Sequence, residues 1–91
     1  MATMTKATII TWVSSEAQDG NLLLNDDRNE KITEMFEAGK TDNEPIKITD
    51  SVTVRYWVDQ AAAEEYRDFM LALSEKYGGG RILSVKIEDV N

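Results

Sequence analysis

Apolar and polar residues alternate from Ile46 to Val58, where the even positions are apolar and only Asp50 interrupts the series. Alternation with a period of two is typical of a β-strand with one buried face. Because residues opposite each other in an antiparallel pair share a face, a loop over residues 49–51 would set Ile46 against Val54. The pattern therefore predicts a hairpin with this three-residue loop, or one long strand with a bulge at Asp50.

Helical periodicity follows directly after this strand. Asp59 is a favourable N-cap, and apolar residues recur behind it at helical spacing, at Ala62, Tyr66, Phe69, Met70, Leu73 and Tyr77. Three glycines, 78–80, predict the end of this helix, and residues 81–90 then predict a last strand.

The first half of the chain gives weaker signals. Residues 6–13 are rich in β-branched side chains and predict the first strand. Asn25 or Asp26 is a candidate N-cap for a helix whose apolar stripe is Ile32, Met35 and Phe36. Residues 14–24 combine a polar stretch with three leucines, and their pattern leaves a loop, a short strand or a helix start open.

The predicted order is strand, helix, strand, strand, helix, strand, over a single domain of residues 1–91. This order predicts the α+β class and the ferredoxin-like βαββαβ arrangement. In that arrangement a four-stranded antiparallel sheet carries both helices on one face.

Composition narrows the chemistry. The chain has no cysteine and no histidine, so thiol nucleophiles, zinc sites of the usual type and histidine-dependent triads are excluded. A net charge of −7 argues against direct nucleic-acid binding, because phosphate neutralisation needs a basic surface. No run approaches the ~20 apolar residues of a membrane span. We predict a cytoplasmic protein that is not an enzyme, with no catalytic residue, cofactor or metal.

The odd positions of the hairpin, with parts of the first and last strands, form the first candidate surface. It contains two tryptophans and three basic residues on what we predict to be the open face of the sheet: Trp12, Lys47, Thr53, Arg55, Trp57 and Lys86. Tryptophan and arginine are enriched in protein interfaces. A solvated sheet face with one or two marginal aromatics is the alternative interpretation of the same pattern.

An acidic surface along the first long helix is the second candidate, made of Asp26, Asp27, Glu30, Glu34 and Glu37. Such charge usually forms a solvated face that keeps a small domain soluble. The functional alternative is a mimic of a phosphate backbone that occupies the nucleic-acid site of another protein.

Residues 55–69, with the sequence RYWVDQAAAEEYRDF, resemble a segment of the small dimeric α/β-barrel proteins, the superfamily that includes antibiotic-biosynthesis monooxygenase-like domains. In that superfamily an Arg-x-Trp strand end leads through a capping residue into an alanine-rich helix with an aromatic repeat. The resemblance implies a ferredoxin-like protomer whose open sheet packs on a second copy. It carries over no active-site residue, since those enzymes often use histidine or haem and this chain lacks histidine. Its size and acidity also resemble those of bacteriophage accessory proteins.

Together these features predict a small acidic protein-interaction module that forms a homodimer through its open sheet face. The alternative is an acidic inhibitor of a host nucleic-acid-binding enzyme, with a phage as its suggested source. An enzyme or small-ligand carrier with a site in a dimer cavity is the third hypothesis.

Overall fold

A computed structural model describes residues 3–42 and 46–90, with the backbone alone for residues 46–48. Along the chain its elements are β1 (Lys6–Trp12), α1 (Ser15–Asp19), α2 (Leu22–Glu37), β2 (Ile46–Thr49), β3 (Val52–Trp57), α3 (Gln60–Lys76) and β4 (Ile82–Asp89). The α+β class predicted from the sequence is confirmed.

The sheet is built around β1. This strand pairs antiparallel with β3 on one side and with β4 on the other, so β3, β1 and β4 form a three-stranded antiparallel unit. The short strand β2 adds to the free edge of β3 and gives the order β2-β3-β1-β4. β1 is therefore the central strand of this unit, and its side chains lie at the middle of both faces of the sheet.

The predicted ferredoxin-like βαββαβ arrangement, a four-stranded sheet with two helices, is wrong. The described part of the chain has three helices where two were predicted, and its sheet is the three-stranded unit of β3, β1 and β4 extended at one edge by the four-residue strand β2. Two side-chain caps divide the segment after β1 into separate helices. The Ser14 hydroxyl caps α1 by accepting from the Ala17 N–H at 3.1 Å, and the Asn21 side chain caps α2 by accepting from the Leu24 N–H at 3.0 Å. Each cap satisfies a helix N–H that has no intrahelical partner.

The same caps correct the start of the first long helix. Sequence analysis placed its N-cap at Asn25 or Asp26, whereas α2 begins at Leu22 with Asn21 as the cap. Gly20 separates α1 from α2. The three leucines, 22–24, are therefore the first turn of α2; Leu22 is 79% exposed and Leu24 is 1% exposed.

The hairpin register agrees with the prediction at one end and differs at the turn. Ile46 lies opposite Val54 as predicted, but Thr49 lies opposite Val52, so the loop has only two residues, Asp50 and Ser51. The register shifts between Lys47 and Thr49, so β2 contains one residue more than its partner over this stretch and the loop contains one residue fewer than predicted.

Helix α3 matches its prediction closely. The Asp59 carboxylate accepts from the Ala62 N–H at 2.8 Å, and the buried residues of the helix include Ala62, Tyr66, Met70 and Leu73. The helix ends at Lys76, and Gly78 follows with φ +105°, a left-handed conformation that favours glycine. The stripe packs on one side of the sheet, which we call the helix-facing side.

Candidate functional site

The helix-facing side contains the aromatic residues that sequence analysis placed on an open surface. Trp57 is 0% exposed, Trp12 is 2% exposed and Arg55 is 8% exposed. The Trp57 ring lies 4.6 Å from the ring of Tyr66, a residue of α3. The prediction that Trp12, Arg55 and Trp57 lie on an open sheet face is therefore wrong, because the helices cover them.

The physical reason lies in what each face of β3 buries. Its even positions hold Val52, Val54 and Tyr56 and its odd positions include Trp57, so alternation alone does not show which set the helices cover. Aromatic side chains bury about 150 to 250 Å² each, and the tryptophan is the larger of the two aromatic residues, so it gains most from the helix side. Its polar atom also finds a partner there, since the Trp57 indole N–H donates to the Thr8 hydroxyl at 3.1 Å.

Of the other three residues of that predicted surface, Thr53 lies with these and Lys86 does not. Thr53 is half-buried on the helix-facing side and accepts from the Trp12 indole N–H at 3.0 Å. Lys86 is exposed and lies opposite Ile9, which places it on the other face of the sheet. The Lys47 side chain lies outside the described residues.

The opposite side of the sheet, which we call the outer face, is apolar at its centre. Register pairs Ile9 with Val54 and Ala7 with Tyr56, and all of these side chains are buried or half-buried. The outer face comprises residues from β1, β3 and β4: Ala7, Ile9, Thr11, Val52, Val54, Tyr56, Ser84, Lys86 and Glu88.

None of the described helices packs on the outer face. The core cluster joins Ile10, Trp12 and Trp57 to residues of α2 and α3, and it contains no outer-face residue. In the part of the chain that the structure describes, no element therefore covers the apolar centre of the outer face, while its β4 edge carries one cation and one anion, Lys86 and Glu88.

The five residues of the predicted acidic surface divide into two groups. Asp27 bonds to the Lys76 ammonium at 2.9 Å and to the Tyr77 hydroxyl at 2.7 Å, and Glu34 forms an ion pair with Lys31 at 3.3 Å. Asp26, Glu30 and Glu37 are exposed, and no ion pair between described residues includes them. The hydrogen bond from Tyr77, with the contact to Lys76, lowers the pKa of Asp27, so this carboxylate ties α2 to the end of α3.

A cavity of about 260 Å³ lies between the helix-facing side of the sheet and the helices. Two arginines line it, Arg28 from α2 and Arg55 from β3, and we call it the arginine cavity. The sequence-based predictions above do not include this cavity, and Arg28 is not among their candidate residues. The available signal was its position in a helical stripe with Leu24, Ile32 and Met35, all of which are buried.

Comparison with protein-family models, with curated proteins and with solved structures finds no match. The resemblance to dimeric α/β-barrel proteins and to phage accessory proteins therefore stays a prediction. Within residues 3–42 and 46–90, no group of acidic side chains is arranged to hold a metal ion, and no helix is long and apolar enough to cross a membrane.

Proposed function

We propose that the protein is a small acidic, non-enzymatic interaction module that acts in the cytoplasm as a homodimer, with the outer face as its interface. The observation that supports this most directly is the uncovered apolar centre formed by Ile9, Val54 and Tyr56. Contiguous apolar surface that the fold itself leaves uncovered is typical of an interaction site. The proposal keeps the predicted mode of association and replaces the predicted residues.

Charge favours a second copy as the occupant of the outer face. The chain carries −7 overall, but Lys86 and Glu88 cancel on this face, so the face itself adds no net charge repulsion between two copies. In a two-fold interface the same patch meets itself, and a lysine and a glutamate two residues apart on one strand can pair with their counterparts. A short chain also gains stability from burying a second apolar face.

The mass of the particle in solution, measured by light scattering over a range of concentrations, tests the proposal. We expect a dimer for the wild type. Ile9→Thr combined with Val54→Thr should weaken association by at least tenfold, because both changes remove apolar surface at the centre while keeping β-branched side chains. Tyr56→Ala should also weaken it.

Leu71→Ala is the control. Leu71 is 43% exposed and also loses apolar surface, yet it lies on α3 and not on the outer face. It should leave the mass unchanged. A wild-type protein that stays monomeric at high concentration would refute the homodimer, and equal effects of the two sets of changes would refute the outer face as its interface.

The acidic inhibitor stays a prediction without a structural observation in its favour. Two of its five carboxylates, Asp27 and Glu34, already pair with lysines of the same chain. Charge reversal at Asp26, Glu30 and Glu37 would test it, since these changes should leave homodimer formation intact.

A further inference from the structure

The arginine cavity contains a buried cation whose donors are incompletely used. The Nη1 atom of Arg55 is buried and has no hydrogen-bond partner among the described residues, and the whole residue is only 8% exposed. A buried ionised group is costly unless it is paired and hydrogen-bonded, and an unused buried donor adds to that cost. Arg55 therefore has the properties of a ligand-binding group more than those of a structural ion pair.

Arg28 brings a second cation to the same cavity. Its guanidinium donates to two neutral acceptors among the described residues: Nη1 donates to the Gln18 carbonyl oxygen at 3.0 Å, and Nη2 donates to the Asn25 side-chain oxygen. The group lies over the Trp12 ring, 5.9 Å from its centre. Burial lowers the pKa of Arg28, and the charge of Arg55 acts in the same direction, against the opposing influence of Tyr66 and Asp19.

No carboxylate is among the described residues that line the cavity, although Asp19 acts on Arg28 from outside that lining. In the part of the chain that the structure describes, neither forms a salt bridge with a carboxylate. Two like charges that share a cavity repel each other. They also make the cavity locally positive in a protein whose net charge is −7. An anion between them would remove the repulsion and supply the missing acceptor.

Hydroxyl groups complete the polar part of the lining. The Thr53 oxygen already accepts from Trp12, which leaves its own proton free to donate. Burial raises the pKa of Tyr66, whose hydroxyl therefore stays protonated as a donor beside Arg55. Two guanidinium groups and two hydroxyls thus offer donors to one oxyanion.

The size and walls of the cavity limit the ligand. At about 30 Å³ per water, a cavity of about 260 Å³ holds roughly eight or nine water molecules, which suits an anion with few heavy atoms. Ile10 and Ile32 contribute apolar wall, where a short carbon chain would fit.

We propose that the arginine cavity binds a small oxyanion, a carboxylate or a phosphate, whose oxygens accept from Arg28 and Arg55 and from the Thr53 and Tyr66 hydroxyls. Arginine is suited to this because its planar fork of N–H donors matches both groups bidentately. The site and the outer face lie on opposite sides of the sheet, and Val54 of β3 borders both.

The two tryptophans provide the measurement. The indole N–H of Trp12 bonds to Thr53 and that of Trp57 bonds to Thr8, and both threonines line the cavity. We would follow the two indole ¹H–¹⁵N signals while adding sodium propionate, sodium acetate or sodium phosphate, each against sodium chloride at equal ionic strength. We expect a saturable shift with at least one oxyanion. A response to propionate alone would indicate an organic carboxylate, and a response to phosphate alone would indicate a phosphate ligand.

Variants separate this site from nonspecific binding. Arg55→Gln and Arg28→Gln should each weaken binding at least tenfold, whereas Arg67→Gln should change nothing, because Arg67 pairs with Asp68 on the surface of α3. If Arg55→Gln does not fold, Arg28→Gln carries the test. The proposal is overturned if no oxyanion shifts the indole signals at concentrations that would fill a millimolar site, or if both cavity variants bind as the wild type does.

Discussion

Trp57 donates its indole N–H to the hydroxyl of Thr8 across the β1–β3 pair, at 3.1 Å. Thr8 is 1% exposed and also donates to the Arg55 carbonyl oxygen at 3.5 Å, so both its donor and acceptor functions are used. This pairing explains how a polar residue and a tryptophan share the centre of a small core without leaving a buried donor unsatisfied.

Thr8→Val should lower the free energy of unfolding by about 1 to 3 kcal/mol, because it leaves the Trp57 indole donor without its partner. Thr33→Val is the control, since Thr33 is exposed on α2 and lies away from the outer face. Urea unfolding of both variants measures the difference. Equal losses would show that the indole bond contributes nothing specific.

The apolar stripe of α3 gives a second prediction from two adjacent residues. Met70 is 1% exposed within the core, whereas Leu71 is 43% exposed. Met70→Ala should cost about 2 to 5 kcal/mol through lost burial and a residual cavity. Leu71→Ala should stay within about 0.5 kcal/mol of the wild type, as exposed substitutions usually do. A larger loss at Leu71 than at Met70 would mean that the opposite side of α3 is buried.

An ion pair between the two long helices predicts a dependence on acid. The Glu65 carboxylate lies 2.8 Å from the Lys31 ammonium and 2.7 Å from that of Lys40. The hydrogen bond from Lys31, followed by that from Lys40, lowers the pKa of Glu65 below its usual 4.5. A group with a lowered folded pKa stabilises the protein above its unfolded pKa, and this contribution is lost as the pH falls through the folded value.

Glu65→Gln should therefore destabilise the protein at pH 7 by roughly 0.5 to 1 kcal/mol, the scale of a partly exposed pair. The deficit relative to the wild type should shrink as the pH falls below 4.5, where the wild-type carboxylate also becomes neutral. Chemical unfolding across this pH range measures it, with Glu75→Gln, exposed on the same helix, as the control. A deficit that does not change with pH would show that Glu65 acts through packing instead of charge.

Local patterns predicted the helices and strands that carry strong signals. Asp59 with its following stripe predicted α3, and the hairpin parity predicted the Ile46–Val54 register. The pattern did not resolve α1, because Ser14 and Asn21 are also ordinary loop residues and only the folded chain shows that both cap helices.

The sequence pattern could not predict which side of the sheet the helices cover, for a different reason. In β3 both faces can be buried, so the choice depends on whether the helices gain more from Trp57 and Arg55 or from Val54 and Tyr56. Tertiary contacts decide this, among them the Tyr66 ring on Trp57. The arginine cavity was equally hidden, since Arg28 and Arg55 are 27 positions apart and meet only across the packed layers.

The helices cover one side of the sheet, and we propose that a second copy of the chain packs on the outer face. The most direct test of this proposal is isotope-filtered NOE spectroscopy on a mixture of labelled and unlabelled protein, which detects contacts between copies only. We predict intermolecular contacts from Ile9, Val54 and Tyr56, and none from Leu71. Intermolecular contacts confined to the helices, or none in a sample whose mass shows a dimer, would contradict the proposal.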